Sequence, residues 1–78
     1  MRAKELKLVI TFHTTAESIA MEKNCKAAGI PGRLIPVPRQ ISAGCGLAWA
    51  VPAEDGDTVK SFITEKNLPF ESMSEIFI

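Results

Sequence analysis

Hydrophobic and polar positions alternate near the start of the chain. Between residues 7 and 12, Leu8, Ile10 and Phe12 alternate with Val9 and Thr11. The second set is β-branched, so both faces of this segment suit a sheet interior. The pattern predicts a first strand over residues 7–12 that is buried on both faces.

A helix is predicted directly after this strand. Thr14 and Glu17 have the spacing of a capping box, and Gly29 followed by Pro31 is a stop signal. The helix should therefore cover residues 15–28. Its expected buried half is mostly alanine and consists of Ala16, Ala20, Met21, Asn24, Cys25, Ala27 and Ala28, opposite a polar half of Ser18, Glu22, Lys23 and Lys26.

The second half of the chain predicts four more elements of regular structure, three strands and a helix. Residues 33–38 are extended, but Pro36 and Pro38 lack backbone donors, which restricts this segment to the edge of a sheet. Residues 47–51 alternate strictly and predict a central strand. A polar turn over 52–57 precedes a second helix carrying Val59, Phe62 and Ile63 on one face, and residues 74–78 form a short last strand.

The resulting order of elements is β-α-β-β-α-β, without internal repeats or linkers. This order is typical of the ferredoxin-like sandwich, an α+β fold with two helices on one face of a four-stranded antiparallel sheet. We therefore expect a single domain over residues 1–78 with the strand order 4-1-3-2. In that order strands one and three are central, and strands two and four form the edges.

Composition and charge exclude several classes of function. The chain has 78 residues with 9 Lys and Arg against 9 Asp and Glu, so its formal net charge is zero. A domain of this size has little room for a large enclosed active site. It also lacks the dense basic run that binds nucleic acid, so we expect no nucleic-acid partner.

Targeting and metal-binding signals are also missing from the sequence. The longest apolar stretch near the start covers only residues 8–10, so we expect no membrane association and a cytoplasmic protein. Two cysteines without Cys-x-x-Cys spacing and one histidine cannot build a four-ligand zinc site. We expect free thiols, and neither a metal nor a cofactor.

The predicted topology gathers chemically active residues at one rim of the sheet. Strand one ends there, strand two ends there and strand three begins there, so Cys45 should lie near the start of the first helix. A helix N-terminus and nearby cations favour the thiolate, the reactive form of cysteine. Gly44 and Gly46 flank Cys45 and would let another molecule approach the sulfur closely. Alternatively, the glycines only form a turn and Cys45 packs as a small apolar side chain.

Two further residues at this rim have a functional and a structural interpretation. His13 is either the proton partner of Cys45 or a residue that hydrogen-bonds the loop backbone. Arg39 is either an anion clamp or a solvated charge. The candidate catalytic residues are thus Cys45 and His13, and the candidate binding residues are Arg39, Ser42, Gly44 and Gly46.

Other notable residues are expected to pack. Cys25 occupies a helical position and Trp49 the middle of the third strand, where burial is the usual role. On the sheet face without helices, the small residues should form a surface for a second copy or another protein. These residues are Val9, Thr11, Ala48 and Ala50.

Five segments together resemble the family described as selenium/sulfur carrier protein-like. They cover residues 10–15, 20–23, 29–31, 34–39 and 41–48, and the most specific parts are 35–39 and 42–46. The resemblance implies a cytoplasmic bacterial protein that works with sulfur-relay proteins, namely cysteine desulfurase-like and TusA-like proteins. It also implies that Cys45 holds sulfur or selenium as a persulfide or selenosulfide.

Two functions follow from the sequence. The first is a carrier, in which the Cys45 thiolate accepts a sulfur or selenium atom from a donor and passes it to an acceptor protein. This needs an exposed nucleophile and a docking surface rather than a deep pocket. The second is a non-catalytic ferredoxin-like module that binds or regulates another protein, since this fold serves many functions. The residues alone leave open both the choice between these functions and that between sulfur and selenium.

Overall fold

Four strands and two helices make up the fold of this protein. The computed structural model describes residues 4–41 and 44–78. In chain order the elements are β1 (Leu6–Thr11), α1 (Thr15–Ala28), β2 (Arg33–Pro36), β3 (Leu47–Pro52), a short 3₁₀ turn (Ala53–Asp55), α2 (Gly56–Lys66) and β4 (Ser72–Phe77). The predicted sequence of strands and helices is therefore confirmed, and the polar turn before α2 contains the 3₁₀ turn.

The strands form one open antiparallel sheet. Their hydrogen-bonded order is β2-β3-β1-β4, which is the order 4-1-3-2 read from the opposite edge. β1 pairs with both β3 and β4, and β3 also pairs with β2, each time antiparallel. The α+β class and the antiparallel sheet are thus as predicted, and β2 and β4 are its edges.

The register explains why proline is tolerated in β2. The Val37 N–H donates to the Gly46 carbonyl at 3.1 Å, just beyond the pair formed by Pro36 and Leu47. Because inward and outward groups alternate along an antiparallel strand, Leu34 and Pro36 direct their backbone nitrogens away from β3. Pro36 therefore removes no bond of the sheet.

The core lies between the sheet and both helices. It consists of Leu8, Ile10 and Phe12 from β1 and the residue after it, Trp49 and Val51 from β3, Met21 and Cys25 from α1, and Val59, Phe62 and Ile63 from α2. Trp49 is 1% exposed and Cys25 0%, so both pack as predicted. Burying one such Leu, Ile or Phe side chain stabilises the fold by about 1.5–3 kcal/mol.

The predicted buried half of α1 is confirmed for Met21 and Cys25 and wrong for most of its alanines and for Ser18. The helix buries Ser18, Met21 and Cys25, whereas Ala16 and Ala27 are exposed. Ser18 can be buried because its hydroxyl donates to the Thr15 carbonyl at 2.7 Å and leaves no unsatisfied group. The contact with the sheet is thus made through the larger side chains Met21 and Cys25, and alanine contributes little to it.

The small residues of β1 and β3 lie on the sheet face opposite the helices, as expected, but they are hardly accessible. None of the four, Val9, Thr11, Ala48 and Ala50, is more than 5% exposed. The register places longer side chains beside them on the same face, among them Lys7, Arg33 and Ile35. A protein that docks on this face would therefore contact mainly those longer side chains.

Candidate functional site

The loop between β2 and β3 lies against the start of α1. β1 ends at Thr11 opposite Ala48, and β2 ends at Pro36 opposite Leu47, so the two strand ends and the start of β3 share one rim. A Cβ atom built on Gly44 would lie 3.4 Å from the carbonyl oxygen of His13. The rim predicted from topology therefore exists, and it brings Gly44 next to His13.

The same loop is closed at its base and turns at Arg39. The bond from Val37 N–H to Gly46 closes the base, and the Ile41 N–H donates to the Pro38 carbonyl at 3.1 Å to form the turn. Arg39 lies in this turn and is exposed. Ser42, a predicted binding residue, lies outside the described residues.

The sulfur of Cys45 is half-buried and bonded within its own turn. The Leu47 N–H donates to Sγ at 3.4 Å, and the thiol donates to the Leu47 carbonyl at 3.3 Å. The side chain also packs against the hydrophobic core. The Leu47 N–H favours negative charge on Sγ, whereas the bond to the Leu47 carbonyl requires the thiol proton.

Gly46 makes this turn possible. Its φ of +76° lies in the left-handed region that glycine adopts without steric cost. The chain thereby turns back so that the Leu47 backbone faces the Cys45 sulfur. Apart from its chain neighbours, no heavy atom of residues 4–41 and 44–78 lies within 4 Å of a Cβ built on Gly46, so backbone conformation rather than space is the reason for glycine here.

His13 contacts Glu17. Its Nδ1 lies 3.2 Å from Glu17 Oε1, and its backbone N–H donates to the same oxygen at 2.8 Å. These bonds lower the pKa of Glu17 below its usual value of 4.5, chiefly through the backbone donor. Within residues 4–41 and 44–78, the hydrogen bonds of the Cys45 sulfur go to Leu47 and not to His13. A role of His13 toward Cys45 stays a prediction.

Cys25 has a different environment. It is buried in the core, and this burial raises its pKa to about 11. Both cysteines are free thiols. At neutral pH Cys25 is therefore protonated and shielded, which leaves Cys45 as the accessible thiol of the chain.

Two contributions to the site were missed from the sequence. The first is the backbone N–H of Leu47, which could have been expected from the glycine directly after Cys45. The second is the contact of Glu17 with the ring of His13, for which the i, i+4 spacing of the two residues was an available signal. Both interactions are local, so no long-range information was needed to find them.

The described residues contain no helix that is long and apolar enough to cross a membrane. Over the same ranges, no three His, Cys, Asp or Glu side chains are grouped as metal ligands. No curated protein and no solved structure matches the chain. A model of the protein family described as "Putative Se/S carrier protein-like" matches residues 7–75. Since this match leaves out only the two ends, the chain belongs to the Se/S carrier protein-like family.

Proposed function

We propose that this protein carries sulfur or selenium on Cys45 between a donor and an acceptor protein. The observation that carries the proposal is the partly exposed Cys45 with a backbone donor directed at its sulfur, in a chain of the Se/S carrier protein-like family. Cys25 does not compete, because it is buried and protonated at neutral pH. A covalent shuttle needs a nucleophile that a partner can reach, and the partial exposure of Cys45 supports this role.

The transfer step exchanges one sulfur-sulfur bond for another. The Cys45 thiolate attacks the terminal sulfur of a donor persulfide, R–S–SH, and a new bond forms between the two sulfurs. The bond to the donor's inner sulfur breaks, and the donor leaves as the thiolate R–S⁻. Cys45 then holds –S–SH without net oxidation or reduction. Delivery repeats the step with an acceptor thiolate as the attacking group, and selenium takes the place of the terminal sulfur in a selenosulfide.

The rim residues have separate roles in this proposal. The Leu47 N–H stabilises negative charge on the sulfur, and Gly44 and Gly46 leave room for the partner's reactive atom. Arg39, from its exposed turn, pairs with the anionic persulfide. His13 takes the proton of the thiol, which requires its ring to leave Glu17 and turn toward Cys45.

The partners that we propose are the sulfur-relay proteins implied by the family resemblance. A cysteine desulfurase-like protein would be the donor and a TusA-like protein the acceptor, both in the cytoplasm. We also propose that the βαββαβ chain is a ferredoxin-like sandwich. Because the centre of the helix-free face is hardly accessible, docking at the Cys45 rim suits a relay better than docking on that face.

Loading with inorganic polysulfide tests the carrier function. We expect intact mass spectrometry to show a sulfur adduct on the parent protein and on Cys25→Ser, but not on Cys45→Ser. Dithiothreitol should remove the adduct, and a small acceptor thiol should take it up. Equal adducts on both single variants, or an adduct on Cys45→Ser alone, would contradict the proposal.

One observation favours the second function, a non-catalytic binding or regulatory module. The Cys45 thiol satisfies its hydrogen bonds within its own turn and packs against the core, as a structural cysteine would. Such a module needs no labile sulfur. It would keep the affinity for its partner protein in a Cys45→Ser variant, whereas a carrier would lose covalent transfer.

A further inference from the structure

The outer edge of β4 is open to pairing with another strand. Glu5 and Ile78 exchange both of their backbone hydrogen bonds, which marks the inward-directed positions of the β1·β4 ladder. Alternation along the strand then places the backbone groups of Met73, Glu75 and Phe77 on the outer side. No described residue pairs with that side, since β4 is the last strand of the sheet.

The other edge is protected. β2 directs only Leu34 and Pro36 outward, and Pro36 has no N–H to offer. Proline on an edge strand is a common means of blocking further pairing. β4 contains neither proline nor lysine over Ser72–Phe77, so of the usual protections of an exposed edge it has only the single charge of Glu75. A further strand can therefore pair with the sheet only at the β4 edge.

Large apolar side chains are exposed along this open edge. Phe77 is 60% exposed, and its neighbour in the β1·β4 register, Leu6, is 36% exposed. Phe70, just before β4, is 37% exposed. A partner strand against β4 would cover apolar surface in addition to satisfying the outward backbone groups.

We propose that β4 is a dimer interface, in which β4 of a second copy of this chain pairs antiparallel with it. A two-fold axis perpendicular to the sheet places each residue opposite one on the same face. Glu75 opposite Glu75 of the second copy would set like charges together, which is unfavourable. The register centred on Ser74 avoids this, because it places Glu75 opposite Met73 and brings Phe77 diagonally beside Met73 of the second copy.

A second copy is favoured over a strand of a different protein, because the β4 pairing is self-complementary and produces a closed dimer. In this register Ile76 lies opposite Ser72 of the second copy, and Ser74 opposite Ser74. Since the β2 edges are blocked, two copies form a closed dimer with a continuous sheet rather than a fibre. β1 and β3 lie between β4 and β2, so the open edge of β4 faces away from the strands that the Cys45 loop joins. This inference does not depend on the carrier function.

Sedimentation of the full chain over a range of concentrations tests the interface. We expect the parent to dimerise reversibly. Glu75→Pro should be monomeric, because it removes an outward N–H but no bond to β1. The control Glu75→Ala keeps that N–H and should still dimerise. A monomeric parent would overturn the proposal. A dimer that survives in Glu75→Pro would also overturn it, and this outcome covers a dimer formed through the helix-free face.

Crosslinking tests the register, and it remains decisive if Glu75→Pro fails to fold. In a Cys45→Ser background, Ser74→Cys should form an intermolecular disulfide, because directly opposite non-hydrogen-bonded residues lie about 4.5 Å apart at Cα. Glu75→Cys should not form this disulfide, since the two cysteines would be diagonal neighbours about 7–8 Å apart. Equal or inverted crosslinking of the two variants would overturn the Ser74-centred dimer.

Discussion

The two thiols differ in accessibility, and this gives the most specific prediction at the scale of single residues. Cys25 is fully buried with a pKa of about 11, whereas Cys45 is half-buried in a surface turn. In folded protein, iodoacetamide should alkylate Cys45 more than about tenfold faster than Cys25 near pH 8, because the thiolate is the reacting form. Rates measured on Cys25→Ser and Cys45→Ser separate the two sites. Similar rates for the two thiols would remove the case for Cys45 as the working nucleophile.

Arg39 should affect the lifetime of the persulfide rather than the stability of the fold. Its turn is exposed, so an ion pair with the persulfide is limited to about 1 kcal/mol, which corresponds to a factor of about five. Arg39→Gln should shorten the lifetime of the Cys45 persulfide by about two- to fivefold and leave the melting temperature nearly unchanged. The matched control is Arg33→Gln, which removes the same charge on β2. Indistinguishable decay in parent and Arg39→Gln would reduce Arg39 to a solvated charge.

At the scale of elements, Gly32 allows the chain before β2 to pack closely on Trp49, because it has no Cβ. Its φ is +126°, and a Cβ built there would lie 2.6 Å from Trp49 Cε2 and 3.0 Å from the Ala50 carbonyl. Gly29 also has positive φ, but in the described part of the chain no heavy atom beyond its chain neighbours lies within 4 Å of its Cβ position. Gly29→Ala should therefore cost about 1–2 kcal/mol of unfolding free energy from strain alone. Gly32→Ala should cost about 1–3 kcal/mol more from overpacking, as measured by urea unfolding. Equal losses would show that the Trp49 contact relaxes freely.

The start of α1 should make stability depend on pH at the acidic end. The Glu17 carboxylate accepts from the His13 N–H in the folded state, which lowers its pKa below 4.5. This contribution is present above the unfolded-state pKa and is lost as the pH falls through the folded-state pKa. The stability difference between parent and Glu17→Gln should thus shrink as the pH falls below the usual value of 4.5 through the lower folded-state pKa. Glu22→Gln, which removes an exposed pair with Lys26, is the control. A difference that is flat down to pH 2 would contradict the assignment.

The bounds of α1 show what the sequence could predict about elements. The capping residues Thr14 and Gly29 act locally, so the predicted helix over residues 15–28 agrees with Thr15–Ala28. The predicted buried face of α1 correctly included Met21 and Cys25, but the rest of the face could not be predicted, because a helix rich in alanine has no strongly apolar side. β2 ends at Pro36 rather than at residue 38, and the bond from Val37 to Gly46 continues its pairing by one residue before the loop.

The candidate site also shows a difference between what strand order and what local contacts determine. Its location at one rim followed from strand order, and Gly44 does lie beside His13. The hydrogen-bond partner of each side chain could not be predicted from strand order, since local hydrogen bonds compete with those across the rim. His13 bonds to Glu17 four residues away, and the Cys45 sulfur bonds to Leu47 two residues away. Short-range geometry thus determined the contacts after topology had determined the neighbourhood.

At the scale of the whole molecule, the proposed carrier site and the proposed dimer interface lie on different strands of the sheet. Cys45 lies on the loop that joins β2 to β3, and the open edge of β4 lies on the far side of the sheet. A carrier built in this way could meet its donor and acceptor one after the other at the same rim. Transfer between thiols at the surface needs no enclosed pocket, so the carrier function is compatible with a small core between one sheet layer and two helices.

The most direct test of the carrier function is the chemical state of Cys45 in protein isolated from its own cells without reductant. Trypsin cleaves after Lys and Arg, so Cys25 and Cys45 fall on different peptides. Mass spectrometry should find an added mass of about 32 Da for sulfur or about 80 Da for selenium on the Cys45 peptide, removable by dithiothreitol. Cys45 found only as a free thiol, or the same adduct on the Cys25 peptide, would contradict the carrier function.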